Sequence, residues 1–372
     1  MTGEPIGRRV AGWRTRRRLT QQMLADRLGK SKSWVDKVER GVRRLDRYSV
    51  IQEIADVLRV DPSVLLGTPG PALTGAPVGV DAVRAALANY HGGPPALAPS
   101  ELRRHVTYAW LTYQHAHYAR TLRLLPGLLD VARGLHRAAP ELLVQAYRIA
   151  SSVLVKLGEA DLAWLAADRA VAGAGDDPAL SVRAVACVGE ALRALGRNQL
   201  ALTVTISAEP VSDLHGPLLI QAGLAAAGCG EVRRSDELLG RAAELAARHP
   251  SGDELQRCGF GPAAVEAARV VAALESGDAG EAVCRHERVH RREAWRCLPT
   301  EFRAAYLVDA ARAYVRVGDM RGAGRALVEA DGIAPAEIRL RPVARTVVAE
   351  IARAHPAPPG VARLATLVGL TR

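Results

Sequence analysis

Four apolar residues recur at helical spacing on both sides of a short turn near the amino terminus: Leu24, Leu28, Val35 and Val38. Thr20 and Ser31 precede the two segments and are favourable N-caps. Gly29, between them, suits the left-handed conformation in which many helices end. The pattern predicts a helix beginning at Thr20, a short turn, and a second helix running to about Arg40 and ended by Gly41.

The pattern continues to residue 67. Apolar residues at helical spacing follow the turn: Val50, Ile51, Ile54, Ala55 and Leu58. Asp61 as a cap and Pro62 as the first helical residue predict a last short helix through Leu66. Residues 1–67 are therefore predicted to form a compact helical domain. The Pro- and Gly-rich residues 68–99 are predicted to be a linker that encloses one short helix, 81–90.

Residues 100–372 are rich in Ala, Leu and Arg and show helical periodicity without strand-like alternation, which predicts an all-α fold. Glycines break this region at similar intervals: Gly158, Gly196, Gly228, Gly277 and Gly318. Three are followed twelve residues later by alanine: Ala170, Ala208 and Ala330. We interpret this as a degenerate repeat of helix hairpins. An irregular helical bundle is the alternative.

Positive charge is concentrated near the amino terminus. Residues 1–47 hold 14 Arg and Lys against 5 Asp and Glu, a net charge of +9 in a chain whose total is +11. Lysine occurs only at positions 30, 32, 37 and 156. This distribution predicts that affinity for phosphate lies in the amino-terminal domain. The alternative is a solvated basic helix face formed by Arg14, Arg16, Arg17 and Arg18.

The predicted second helix is short and polar on its outer side, so it suits the major groove of DNA. Its exposed amino-terminal positions make Lys32, Ser33 and Lys37 the candidate base-reading residues. With these features, residues 8–67 resemble an Xre-type, lambda-repressor-like helix-turn-helix domain of five helices. The resemblance covers about a sixth of the chain.

The resemblance implies roles for further residues. Gln21 would touch the DNA backbone and brace the reading helix, and Arg14 would form a structural ion pair with Glu39. Trp34 would either pack on the first helix or contact DNA. The full set of predicted DNA-contacting residues is Thr20, Gln21, Lys32, Ser33, Trp34, Asp36, Lys37, Arg43, Arg44 and Arg47.

The carboxy-terminal region resembles tetratricopeptide-like repeats, which stack helix hairpins into an α-solenoid with a concave binding surface. Bacterial regulators that join an Xre-type domain to such repeats include peptide-pheromone receptors, so the resemblance implies a peptide or small-molecule effector. The candidate effector-binding residues are Tyr113, His117, Tyr147, Arg148, Trp164 and Arg183. Their alternative role is stacking between helices.

No common catalytic motif was found in the sequence, and neither an enzyme activity nor a cofactor is predicted. Cys284, His286, His290 and Cys297 form the only cluster of potential metal ligands, but its spacing fits no common zinc module. No metal is therefore predicted. The polar amino terminus and the lack of a long apolar segment predict a cytoplasmic protein without a membrane anchor.

These features together predict a cytoplasmic bacterial transcription regulator. Two DNA-binding domains related by a two-fold axis would read an inverted repeat in double-stranded DNA, so a homodimer is expected. The alternative is an adaptor whose repeat region binds a protein partner, with the DNA-binding domain serving localisation or autoregulation.

Overall fold

The structure is a computed structural model that forms two compact units, Met1–Gly75 and Ala76–Arg372. It describes residues 6–17, 19–43, 45, 50, 53–54, 57–58, 79–93, 97–208, 215–248, 260–291, 293–354, 358 and 360–370. Within these residues the regular secondary structure is helical and includes no strand. The all-α prediction is confirmed.

The first unit contains three fully described helices, α1 (Ile6–Arg16), α2 (Gln21–Leu28) and α3 (Lys32–Glu39). The predicted caps are present: the Thr20 hydroxyl accepts a bond from the Met23 amide, and the Ser31 hydroxyl accepts one from the Trp34 amide, each at 3.1 Å. Gly29 has φ +62° and ends α2. The turn between α2 and α3 therefore has the predicted local structure.

The core of this unit joins its helices through a set of buried residues: Val10, Leu19, Leu24, Ala25, Val35, Ile54 and Leu58. A β-carbon on Gly7 would overlap the carbonyl oxygen of Val38, so this glycine allows α1 to approach the end of α3. Residues 53–54 and 57–58 are helical, as predicted. The helix predicted over residues 62–66 lies outside the described part of the chain.

The second unit is a succession of helices in antiparallel pairs. They are α4 (Val80–Ala88), α5 (Pro99–Gln114), α6 (Tyr118–Gly134), α7 (Pro140–Lys156), α8 (Ala160–Ala174), α9 (Pro178–Ala194), α10 (Asn198–Ser207), α11 (His215–Gly228), α12 (Val232–Arg248), α13 (Pro262–Glu275), α14 (Ala279–His290), α15 (Thr300–Arg316), α16 (Met320–Ile333), α17 (Pro335–Arg339), α18 (Pro342–Ala352) and α19 (Val361–Leu367). A 3₁₀ turn, Glu293–Cys297, precedes α15.

The first helices of successive pairs form an inner row: α5, α7, α9, α11, α13 and α15. Each contacts the next, and α15 returns to contact α5. At this closure the Thr300 hydroxyl donates a 2.8 Å hydrogen bond to the Gln114 carbonyl, across 186 residues of sequence. The solenoid of the second unit therefore closes on itself and surrounds a central cavity.

The helix predicted inside the linker belongs to this second unit. Val80, Val83 and Leu87 of α4 are fully buried in its hydrophobic core. Gly79, at φ +108°, brings the start of α4 so close to α6 that an added β-carbon would lie 3.1 Å from Leu122 Cβ. Because α4 buries its apolar face against this unit, this helix packs as part of the solenoid.

One of the turn glycines predicted from the sequence is not in a turn. Gly228 is the last residue of α11, and the turn with positive φ is at Gly230, as it is at Gly158, Gly196, Gly277 and Gly318. Counting twelve residues from Gly230 reaches Ala242, which is fully buried. Ala208 lies just beyond the end of α10 and is not at a stacking position. The correction thus replaces one glycine–alanine pair by another, and three pairs with a twelve-residue separation remain.

Candidate DNA interface and candidate effector cavity

The outer face of α3 is polar, and its inner face is apolar. Lys32, Ser33 and Lys37 are exposed, whereas Val35 and Val38 are 1% exposed. The three candidate base-reading side chains thus lie on the side of α3 that faces away from the core. This is the arrangement that a helix needs if it is to enter a DNA groove.

Glu39 is the centre of a polar network that fixes the end of α3. Arg14 binds both of its carboxylate oxygens, through Nε to Oε1 at 2.6 Å and through a terminal nitrogen to Oε2 at 3.1 Å. Gln21 donates a further 2.8 Å bond to Oε2. The Glu39 side chain is 6% exposed, so these partners replace the water that would otherwise solvate its carboxylate. The network ties α1 and the start of α2 to α3.

The other residues predicted to contact DNA differ in their exposure and in their partners. Trp34 is half-buried and packs against the core, and the Arg43 guanidinium lies 5.8 Å from the centre of its ring. Asp36 forms an exposed ion pair with Arg40 at 3.6 Å. The exposed Thr20 caps α2. Arg44 and Arg47 lie outside the described residues.

The central cavity of the second unit has a volume of about 590 Å³. Its wall comes from α5, α7, α9, α11, α13, α15 and the start of α18. This size lies in the range of sites for small organic ligands, about 300–1,000 Å³. Of the candidate effector-binding residues, Tyr113, Arg148 and Arg183 line this cavity.

The other three candidates are not on the cavity wall. Tyr147 is 4% exposed and packs in the helical core. Trp164 is on α8, the second helix of its pair, and is 45% exposed. His117 lies in the turn before α6. Position within the hairpin explains Trp164 and His117, because the first helix of each pair faces the cavity. Tyr147 is on such a helix, α7, but its side chain lies in the core instead.

A network of charged side chains runs along the cavity where the solenoid closes. In order, its members are Glu275, Arg312, Asp309, Arg341, Glu337, Lys156 and Glu301, and successive members are 2.7–3.8 Å apart. The Tyr118 hydroxyl also donates to Glu337, across 219 residues. The network joins early helices of the unit to late ones.

Burial and charge act against each other in this network. Burial alone lowers the pKa of Lys156, but Glu301 and Glu337 outweigh it, so the pKa lies above its ordinary value. Burial raises the pKa of Glu301, and the nearby Lys156 limits the increase. Burial raises the pKa of Tyr118 as well. Lys156 therefore stays protonated and compensates two buried carboxylates.

Lys156, Glu301 and Glu337 were not predicted to form a unit. Lys156 did carry a signal, since it is the only lysine after residue 37. Its partners did not, because glutamates are common and these lie 145 and 181 residues away along the chain. Only the closure of the solenoid brings them together.

The four potential metal ligands, Cys284, His286, His290 and Cys297, differ in their surroundings. His286 Nδ1 lies 2.9 Å from the Tyr306 hydroxyl, and burial lowers the pKa of His286 to about 4. Cys284 and Cys297 are exposed. No group of three or more potential metal ligands occurs in the described residues.

Among the same residues, no helix is long and apolar enough to span a bilayer.

Comparison with known proteins gives one family match. Residues 5–66 match the family described as helix-turn-helix domain. No curated protein matches the chain.

Solved structures similar to this chain share little sequence with it. Bacillus thuringiensis PlcR, in complex with the peptide PapR7 and DNA, is 14% identical, with 78% of this chain and 100% of that one covered and a TM-score of 0.35. Aspartyl phosphate phosphatase F from Bacillus subtilis is 12% identical, with coverage of 90% and 96% and a TM-score of 0.39. A mutant of PrgX is 9% identical, with coverage of 84% and 95% and a TM-score of 0.30. The family match places a helix-turn-helix domain at residues 5–66, and the paired helices of the second unit follow it in the chain.

Proposed function

We propose that this protein is a sequence-specific DNA-binding transcription regulator. In this proposal α3 enters the major groove, where Lys32, Ser33 and Lys37 read base edges. Gln21, Arg43, Arg44 and Arg47 are proposed to contact the backbone of the operator. The repeat unit senses a peptide or small-molecule effector in the central cavity.

The observation that carries the proposal is the exposed face of α3. Its two lysines are free of carboxylate partners among the described residues, and its inner face is fixed by the core and by Glu39. A rigid helix with exposed cationic side chains suits a groove lined by phosphates. The excess positive charge of residues 1–47 supports the same location.

Dimerisation is part of the proposal because one domain of this size reads few base pairs. Two copies related by a two-fold axis would bind half-sites a whole number of helical turns apart. An effector in the cavity would shift the equilibrium between forms that bind the operator with different affinity. Such coupling requires the effector to bind these forms unequally.

The test is selection of genomic DNA fragments by the purified full-length protein at about 150 mM salt, where non-specific phosphate binding is weak. The Lys32→Ala/Lys37→Ala variant is the control. Recovery of an inverted repeat by the parent protein, lost in the variant, would support the proposal. Recovery of no preferred sequence, with or without candidate effectors, would contradict it and favour an adaptor.

A further inference from the structure

Most charged side chains on the cavity wall have a partner of opposite charge. Glu301 pairs with Lys156, whereas Glu275 and Asp309 pair with Arg312. Glu190 and Arg193, both on α9, do not follow this pattern. Within the described part of the chain, neither Glu190 nor Arg193 forms an ion pair, although both line the cavity.

Glu190 and Arg193 are three residues apart on one helix, so they point to the same side of α9 and their β-carbons are about 5–6 Å apart. Arg193 donates a 3.1 Å hydrogen bond to the side-chain oxygen of Gln221 on α11. Gly189 permits this contact, since an added β-carbon would lie 2.6 Å from Thr205 Cγ2 and 3.3 Å from Gln221 Cβ. The close approach of α9 to the neighbouring helices thus holds Arg193 in place.

Both side chains are surrounded by protein and are only partly accessible from the cavity. Burial raises the pKa of Glu190, and the cations around it do not offset this effect. Burial also lowers the pKa of Arg193. The two groups attract each other and the other charges of the cavity wall, but burial outweighs this attraction at both of them. A ligand with complementary charges would supply the missing interactions.

Another part of the same cavity is apolar. Ile220 and Leu224 of α11, Phe260 before α13 and Val271 within α13 contribute to its wall. These side chains suit an apolar ligand body. The site thus combines a negative and a positive group one helical turn apart with an apolar surface.

We propose that the cavity binds an α-amino acid with a large apolar side chain, its ammonium group at Glu190 and its carboxylate at Arg193. In such a molecule the two charged groups are attached to the same carbon atom, which matches their proximity on α9. The charged ends of an extended peptide of several residues are too far apart to reach both residues at once, because such a chain spans about 3.3–3.6 Å per residue. The inference rests on the proposed function of the cavity and identifies its ligand class.

The experiment uses the full-length protein with free leucine, phenylalanine and tryptophan as probes. Each is compared with its N-acetyl form, which lacks the ammonium group, and with its amide, which lacks the carboxylate. Thermal unfolding and titration calorimetry measure binding, because a ligand of the folded state raises the Tm. We expect at least one free amino acid to bind and both of its blocked forms to bind about tenfold or more weakly.

The variants Glu190→Gln and Arg193→Gln are each expected to weaken that binding about tenfold or more. Glu237→Gln and Arg197→Gln are matched controls, exposed and off the cavity wall, and should bind as the parent does. Two results would overturn the inference: none of the free amino acids binds, or the blocked forms or cavity variants bind equally well. Selection of a specific operator by the protein in either case would leave the proposed regulatory function standing.

Discussion

Lys156 Nζ lies 2.7 Å from Glu301 Oε2, and this contact joins the end of α7 to the start of α15. The same nitrogen is 3.3 Å from Glu337. Both carboxylates are almost inaccessible to solvent, so the lysine compensates two buried negative charges. It lies where the last helices of the solenoid return to the first.

Lys156→Met is expected to lower the free energy of unfolding by about 3–5 kcal/mol, because it leaves buried carboxylates without their cation. Thermal unfolding of the full chain, followed by circular dichroism, measures the change. Arg103→Met is the matched control, since Arg103 pairs with Glu141 at the surface, where an ion pair contributes about 0–1 kcal/mol. Equal effects of the two substitutions would contradict a special role for the buried pair.

The raised pKa of Lys156 also predicts a dependence on pH. Its folded pKa is above the unfolded value, so its contribution to stability is complete below the unfolded pKa of about 10.4. That contribution is lost as the pH rises through the folded pKa. Unfolding midpoints between about pH 9 and pH 12 should therefore fall more steeply in the parent than in Lys156→Met. Parallel curves would disagree with this assignment.

Glu190→Gln is expected to stabilise the ligand-free protein at neutral pH. Burial raises the pKa of Glu190, so the folded state holds its proton more tightly than the unfolded state does, and ionisation opposes folding. The gain should grow as the pH rises above the unfolded pKa of about 4.3 and disappear below it. The measurement is Tm from pH 4 to pH 8, with Glu237→Gln as control. A loss of stability at pH 7 would show that Glu190 has a stabilising partner.

Arg14→Ala is expected to weaken the first unit locally. Glu39 would keep only the bond from Gln21, and removal of one partner from a largely buried pair costs about 3 kcal/mol. Hydrogen exchange at the α3 amides of the full chain measures this loss. Arg8→Ala removes an exposed arginine from the same helix and should leave the exchange unchanged. Unaltered protection of α3 in Arg14→Ala would argue against the network as its support.

Substitutions of Gly230 and Gly240 test the position of the turn after α11. Gly230 has φ +80° in the turn after α11, so Gly230→Ala should destabilise the protein by about 1–2 kcal/mol. Gly240 lies within α12 with no atom within 4 Å of an added β-carbon, so Gly240→Ala should stabilise it by about 0.5–1 kcal/mol. Thermal unfolding distinguishes these opposite signs. If Gly230→Ala does not lower the Tm, the assignment of the turn is wrong.

The sequence by itself determined the local features of this protein. Caps at Thr20 and Ser31, the left-handed Gly29 and the apolar faces of α2 and α3 depend on neighbouring residues, so short-range patterns predict them. The helical composition of residues 100–372 likewise predicted an all-α unit. These properties follow from interactions within one or two helical turns.

Only the tertiary structure decided how distant helices meet. It placed α4 in the solenoid, brought Lys156 to Glu301 and Glu337, and turned Trp164 away from the cavity. It also placed Glu190 and Arg193 on the cavity wall without an ion-pair partner among the described residues. Small rotations between successive hairpins accumulate along a solenoid and set which helices close it. No local sequence pattern encodes the accumulated rotation. Contacts across more than a hundred residues therefore form only when the whole unit is folded.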